Sequence, residues 1–219
     1  MSEPVSFPNS RGLTLHGEIW RAGWEAVILV HGFGSDRQSR GRFPKLASCF
    51  VDEAWTVLSY DFETLKIGDE IDDLRAALRY MRELGYDTLA LWGHSHGTRI
   101  CLQSGDDDIR TMVLTGAQTG PMQYEFTPEQ VAKYEPAMLA SFAGFDQPAI
   151  LGAVRCPVLI IHGDADDEER AGAANSERGL QYLPSGSRVE VIDGAPHSFE
   201  GHFDQVIELG TKWLRTQFA

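Results

Sequence analysis

The chain has 219 residues, 42% of them hydrophobic and 23% charged, and its formal net charge at pH 7 is −13. This length and composition fit one domain with a sizeable apolar core. The excess of acidic residues argues against nucleic acid and anionic membrane surfaces as partners, and no apolar run approaches the roughly 18 residues of a membrane span.

The N-terminal residues and the cysteines indicate a cytoplasmic protein. Residues 1 to 5 show neither the basic nor the apolar segment of a signal peptide. The three cysteines, Cys49, Cys101 and Cys156, are an odd number without metal-type spacing, so we expect free thiols.

The first half of the chain alternates predicted strands and helices. Alternating residues 13 to 20 favour an edge strand or hairpin, and residues 26 to 30 form a continuous apolar run typical of a strand buried on both faces. A predicted helix over 44–50 precedes a second buried strand at 55–61. Apolar residues recur at helical spacing from 71 to 84, and Gly85 follows where a C-terminal cap would fall.

Further strands are predicted after residue 88, at 89–92, 111–115, 158–161 and 188–192, and an amphipathic helix at 203–218 closes the chain. The stretch from 121 to 152 is less regular, with helix-like patches around 128–142. Strands alternating with helices predict an α/β fold whose mostly parallel sheet carries helices on both faces. With neither an internal repeat nor a linker in view, we expect residues 1–219 to form one domain.

One segment of this pattern has the properties of a nucleophile elbow. The apolar strand at 89–92 leads into Gly93–Gly97, which reads Gly-x-Ser-x-Gly, and a helix-compatible segment follows. Such a turn holds the serine in a strained backbone conformation, so the flanking glycines are needed for close packing. The pattern alone is a weak signal, because short Gly/Ser patterns also occur in loops.

Three more loops with reactive residues follow predicted strands, and together the four resemble the landmarks of the α/β-hydrolase family. They are His31–Gly34, Gly93–Gly97, Gly163–Asp166 and Gly194–His197, in the order oxyanion loop, nucleophile, acid and histidine. The resemblance covers nearly the whole chain. It implies a small, single-domain α/β-hydrolase fold with a reduced cap at about 121–152.

The resemblance assigns the catalytic roles. Ser95 is the expected nucleophile, and His197 is the expected base, because a serine hydroxyl needs a group that removes its proton. Asp164, Asp166 and Asp167 are local choices for the carboxylate that orients the histidine. The family pattern places the acid three residues after the glycine, which selects Asp166.

The backbone N–H groups of Phe33 and His96 are the oxyanion donors that the resemblance implies. His31 and His94 are expected to buttress their loops. We expect no metal, because the acidic run from Asp164 lacks the glycine and glutamate of a calcium loop. No cofactor is implied.

Two segments bear on the substrate. The candidates for binding a hydrophobic acyl or aryl group are Phe33 and the aromatic residues of the cap, including Tyr124, Phe126 and Phe142. Packing of the cap onto the body explains the cap residues equally well. Arg37, Arg40 and Arg42 follow the oxyanion motif. They either balance nearby acids in a solvated loop or attract a carboxylate or phosphate.

The sequence therefore predicts a cofactor-free serine hydrolase that cleaves a small-molecule carboxylic ester through an acyl-serine intermediate, as a monomer or homodimer. A thioesterase on the same triad is the alternative within enzymes. A low-turnover ligand-binding protein of the same fold is the alternative from a different class. The sequence does not separate ester from thioester substrates.

Overall fold

The computed structural model describes residues 1–120, 128–133, 136 and 144–219, and eight strands in this part form one sheet in the spatial order β1-β2-β4-β3-β5-β6-β7-β8. The strands are β1 (Glu3–Pro8), β2 (Thr14–Trp20), β3 (Glu25–Val30), β4 (Thr56–Tyr60), β5 (Thr88–His94), β6 (Ile109–Thr115), β7 (Val158–Gly163) and β8 (Arg188–Ile192).

The described helices flank this sheet. They are α1 (Arg42–Asp52), α2 (Ile67–Glu83), α3 (His96–Leu102), α4 (Pro128–Lys133), α5 (Gln147–Gly152), α6 (Asp167–Gly179) and α7 (Phe203–Phe218). No described helix is both long and apolar enough to cross a membrane.

Strands β3 to β8 run parallel, so their carboxyl ends share one edge of the sheet. In the register of the central strands, Val30 lies opposite Gly93, and His94 lies opposite Thr115. At the other side, β1 and β2 form an antiparallel hairpin that pairs with β4, as the alternating segment predicts. Parallel register brings the loops after β3, β5 and β6 to one level, which is where sites form in open α/β sheets.

The apolar core lies on both faces of the sheet. Along β3, Ile28 and Val30 face one cluster with α2 and α3, whereas Val27 and Leu29 face a second cluster with α1 and α7. All four side chains are at most 1% exposed. This two-sided burial explains why the central strands read as continuous apolar runs rather than alternating ones.

The predicted fold class is confirmed, while two elements escaped the sequence reading. The first is β1, which is mostly exposed, and the second is α6, whose low hydrophobicity hides its period. In the predicted cap, α4, residue 136 and α5 are described, and the rest of 121–143 lies outside the described residues.

Helix α7 approaches the sheet closely at one glycine. A Cβ atom added to Gly210 would lie 2.3 Å from two ring carbons of Trp92. Trp92 is buried on β5 and lies two residues before the strand ends at His94. The glycine therefore lets α7 pack against the strand that carries the elbow.

We predict that Gly210→Ala destabilises the protein although alanine is the better helix former. The clash with Trp92 should cost about 1–3 kcal/mol, which outweighs the ~1 kcal/mol gain in helix propensity. Gly68→Ala in α2, where an added Cβ meets nothing within 4 Å, is the matched control. Urea denaturation should show the control unchanged or slightly more stable, and equal stability of both variants would contradict the packing described here.

Candidate active site

Ser95 lies in a tight turn between β5 and α3, in the backbone conformation of a nucleophile elbow. Its φ of 54° and ψ of −125° lie outside the regions that most L-residues prefer. The turn needs glycine beside it, because a Cβ on Gly97 would lie 2.3 Å from the carbonyl oxygen of Val30. The amide of Ser95 donates to the carbonyl of Thr115 at 2.9 Å, which ties the turn to β6.

His197 follows β8 and reaches over the end of β6 to the serine. A Cβ on Gly116, just after β6, would lie 2.8 Å from Cε1 of His197, so the absence of a side chain makes room for the imidazole. The His197 loop is tied to the loop after β7 by the amide of Ala165, which donates to the carbonyl of Ala195. Backbone contacts thus set the position of the histidine.

The imidazole of His197 joins two side chains that are far apart in the sequence. Its Nε2 lies 2.9 Å from Oγ of Ser95, and its Nδ1 lies 2.6 Å from Oε1 of Glu169. Because a carboxylate only accepts hydrogen bonds, Nδ1 carries the proton and Nε2 is left to accept from the serine hydroxyl. The arrangement has the geometry of a serine–histidine–carboxylate triad.

The carboxylate in this arrangement is Glu169, which corrects the prediction of Asp166. Asp166 is the N-cap of α6, and its side chain accepts a hydrogen bond from the amide of Glu169 at 2.9 Å. Glu169, in the first turn of α6, is buried with 6% of its side chain exposed and faces His197. The carboxylate that faces His197 is therefore on the helix rather than in the preceding loop.

The other two local candidates are also engaged elsewhere. Asp164 accepts a hydrogen bond from the amide of Gly194 at 2.6 Å, which closes the turn before the histidine. Asp167 is fully exposed and pairs with Arg170 on the same helix.

A sequence signal for Glu169 does exist. An Asp at the N-cap followed three residues later by Glu marks the start of a helix, and Asp166 and Glu169 have this spacing. Recognising α6 would have assigned Asp166 to capping and placed Glu169 in the first turn of the helix.

The loop after β3, which the sequence predicts to hold oxyanion donors, approaches Ser95 closely at Gly32. A Cβ on Gly32 would lie 3.2 Å from Cβ of Ser95, so the chain at Phe33 runs beside the serine. Phe33 is half-buried, and its ring packs edge-on against the ring of His96, with centroids 6.0 Å apart. The two residues that the sequence assigns to the oxyanion hole each follow one partner of the contact between Gly32 and Ser95, Phe33 after Gly32 and His96 after Ser95.

The imidazole of His96 is turned into the protein. It is fully buried, and its Nε2 lies 2.7 Å from Oε2 of Glu70 on α2. This contact fastens the start of α3 to α2.

His31 holds its own loop. Its Nδ1 donates to the carbonyl of Gly32, and its Nε2 accepts from the amide of Phe62. Burial lowers the pKa of His31.

Of the proposed substrate-binding residues, only Phe33 lies in the described part of the chain. Tyr124, Phe126 and Phe142 lie outside it. In the arginine segment, Arg37 pairs with Asp61 and Glu18, and Arg40 is exposed.

Charges on α6 set the protonation of His197. Desolvation lowers the pKa of this histidine, but the hydrogen bond and charge of Glu169, with the charge of Glu168, outweigh it, so the pKa is raised above its ordinary value. Arg42 acts in the opposite direction. A raised pKa strengthens the imidazole as a base.

A buried polar network lies behind the acid. Nε2 of His162, at the end of β7, lies 2.8 Å from Oγ of Ser176, which in turn lies 2.6 Å from Oγ1 of Thr119. Burial lowers the pKa of His162 to about 4. The network joins α6, which carries Glu169, to the loop after β6.

The described residues contain no group of three or more His, Cys, Asp or Glu side chains arranged to hold a metal ion. All three cysteines are free, with Cys101 and Cys156 buried.

Comparison with solved structures shows that the chain has the α/β-hydrolase fold. A dienelactone hydrolase from Anabaena variabilis superposes with a TM-score of 0.78 at 20% identity, over 99% of this chain and 97% of that one. Est1E from Butyrivibrio proteoclasticus, with ferulic acid bound, gives 0.79 at 15% identity over 98% and 99%. The esterase EaEST from Exiguobacterium antarcticum gives 0.77 at 16% identity over 97% and 100%. No family model matches the sequence, and no curated protein matches it.

We predict that Glu169→Gln reduces kcat by about 10²–10⁴-fold, because a neutral amide neither fixes the tautomer of His197 nor stabilises its cation. The acid limb of any residual activity should move to lower pH, because the group that raises the pKa of His197 is lost. The matched variant Asp166→Ala should lose about 1 kcal/mol of stability with its cap but keep kcat within a few-fold. A larger loss of kcat in Asp166→Ala than in Glu169→Gln would identify Asp166 as the acid instead.

We also predict that His162 makes the protein less stable in acid. Its pKa in the folded state is about 4, below the ordinary 6.5. At pH values between these two, the imidazole is protonated in the unfolded chain and neutral in the native state. Through this single group, the free energy of unfolding should fall by about 2 kcal/mol between pH 7.5 and pH 5. His162→Gln, measured by chemical denaturation at both pH values, should lose that much less stability on acidification than the wild type. Equal losses in the two proteins would contradict this assignment.

Proposed function

We propose that the chain is a serine hydrolase that cleaves a carboxylic ester through an acyl intermediate on Ser95. The observation that carries this proposal is the hydrogen-bonded series Ser95 Oγ–His197 Nε2–His197 Nδ1–Glu169 Oε1, with separations of 2.9 and 2.6 Å. These distances lie within the hydrogen-bond reach that a nucleophile and its base require.

In the proposed reaction, Oγ of Ser95 attacks the ester carbonyl while Nε2 of His197 takes the hydroxyl proton. Glu169 stabilises the imidazolium that forms. The carbonyl oxygen becomes an oxyanion, for which the backbone N–H groups of Phe33 and His96 are the proposed donors. His197 then gives its proton to the departing alkoxide, which leaves as an alcohol.

Water completes the cycle. His197, neutral again, takes a proton from a water molecule as its oxygen attacks the acyl carbon, and the proton returns to Oγ of Ser95 when the carboxylic acid leaves. In this proposed cycle the protein itself supplies side chains and backbone amides. We further propose that residues 121–152 cap the site and determine which acyl groups it accepts.

The similar structures support ester chemistry without deciding the substrate. Their names include a dienelactone hydrolase and several esterases, and Est1E has ferulic acid bound. Lactones and aryl esters are therefore reasonable members of a substrate panel. Thioesters belong there too, because the same site attacks both carbonyl types.

We predict that purified protein hydrolyses at least one member of a panel of p-nitrophenyl esters of two to twelve carbons, methyl ferulate, a lactone and acyl-CoA thioesters. Ser95→Ala should lower kcat by about 10⁴–10⁶-fold, because no other group supplies the nucleophile. A fluorophosphonate probe should label the wild type at Ser95 and leave the variant unlabelled.

The outcomes separate the alternatives. Turnover of acyl-CoA well above that of oxygen esters would show that the protein is a thioesterase rather than an esterase. A wild type that turns over nothing, resists the probe, yet is stabilised against heat by one of the esters would point to a ligand-binding protein of this fold.

A further inference from the structure

Arg42, the first residue of α1, uses nearly all of its hydrogen-bond donors inside the protein. Its Nε donates to the carbonyl of Ser39, and its Nη2 donates to the hydroxyl of the same serine. Its Nη1 donates both to Nε2 of His94 and to the carbonyl of Ser198, each at 3.0 Å. Four of the five guanidinium N–H groups are thereby occupied.

All of these partners are uncharged acceptors. Among the ion pairs of residues 1–120, 128–133, 136 and 144–219, none includes Arg42, whereas the nearby Arg37 and Lys45 each pair with an aspartate. A half-buried guanidinium without a carboxylate is costly unless its hydrogen bonds are well made. Its four hydrogen bonds therefore indicate that Arg42 joins the segments that carry its acceptors, at Ser39, His94 and Ser198.

The contact with Arg42 determines the tautomer of His94. Because a guanidinium only donates, Nε2 of His94 must accept, and the ring proton is on Nδ1. Nδ1 then donates to Oγ1 of Thr115 at 3.0 Å, and Thr115 donates to the carbonyl of Gly93 at 3.1 Å. A directed series of hydrogen bonds thus runs from Arg42 into the elbow strand.

Two of the residues that Arg42 joins adjoin the two reacting residues. Ser198, whose carbonyl Arg42 binds, follows His197, and His94 precedes Ser95. The rings of His94 and His197 have centroids 5.5 Å apart. Arg42 is therefore linked to the immediate neighbours of both the proposed base and the proposed nucleophile.

We infer that Arg42 is a positioning residue for the proposed reaction, which clamps the His197 loop to the elbow and keeps the adjacent His94 neutral. This inference rests on the proposed function. A second imidazolium at 5.5 Å would repel the one that His197 forms during catalysis, so a neutral His94 favours the charged transition state.

The charges around His197 oppose one another, and the charge of Arg42 itself works against its protonation, so the benefit of Arg42 is in positioning. Glu169 and Glu168 on α6 raise its pKa, whereas Arg42 on α1 lowers it. The neighbouring imidazoles carry little charge, because burial lowers the pKa of both His94 on β5 and His162 on β7. The charge of Arg42 also lowers the pKa of His94. Removing that charge should raise the pKa of His197.

The test compares Arg42→Gln, Arg42→Lys and the neighbouring Arg40→Gln. The last removes the same charge from an exposed side chain. For each protein we would record kcat and KM, across pH 5 to 9, for a neutral p-nitrophenyl ester and for one that carries a carboxylate. Imidazole NMR titrations of the same proteins would follow His94 and His197 without turnover. Thermal unfolding would establish that each variant is folded.

We expect Arg42→Gln to lose about 10²-fold in kcat with KM nearly unchanged, because a displacement of the base by about 1 Å has this cost. Its acid limb and the NMR midpoint of His197 should move to higher pH. Arg42→Lys should also lose kcat, because the ammonium cannot span the same acceptors, yet keep the midpoint close to the wild type. Arg40→Gln should match the wild type in both readouts.

Three outcomes would overturn the inference. The first is wild-type kcat and an unchanged midpoint in Arg42→Gln. The second is a raised KM confined to esters that carry a carboxylate, which would make Arg42 a substrate anchor. The third, should Arg42→Gln not fold, is wild-type kcat in Arg42→Lys. Absence of Ser95-dependent turnover in the wild type would overturn the proposed function instead, and the NMR titration would still report whether Arg42 holds His94 neutral.

Discussion

The candidate site depends on how closely the backbone of its loops can approach at one edge of the sheet. A Cβ on Gly97 would lie 2.3 Å from the carbonyl oxygen of Val30, and one on Gly163 would lie 1.8 Å from that of Ala195. Real side chains cannot occupy such positions, so these contacts exist only with glycine. They set the spacing between the elbow and the loops that follow β3, β7 and β8.

Within that frame, His197 lies between opposite charges. Glu169 on one side favours its protonated form, and Arg42 on the other disfavours it. The balance matters because a general base must be neutral before the reaction and charged during it. Two helices on opposite faces of the sheet, α6 and α1, supply these charges, so the protonation of the site depends on how both pack.

The histidines near the site are distinguished by their partners rather than by their sequence neighbourhood. His31 and His94 are buried and act as hydrogen-bonding struts, with lowered pKa values. His197 alone among these three has a carboxylate on one nitrogen and a serine hydroxyl on the other. Burial lowers the pKa of His31 and His94, whereas the carboxylate of Glu169 helps to raise that of His197.

The sequence by itself determined the fold class, the order of the central strands and helices along the chain, and the loops that carry Ser95 and His197. Two-sided burial makes apolar runs, amphipathic helices keep their period, and tight turns need glycine, so these features are local and readable. Tertiary structure alone decided which carboxylate faces the histidine. Asp166 and Glu169 are three residues apart, and their roles depend on where α6 begins and on which of its faces packs toward β8. The role of Arg42 was likewise beyond sequence reading, because its partners are 52 and 156 residues away along the chain.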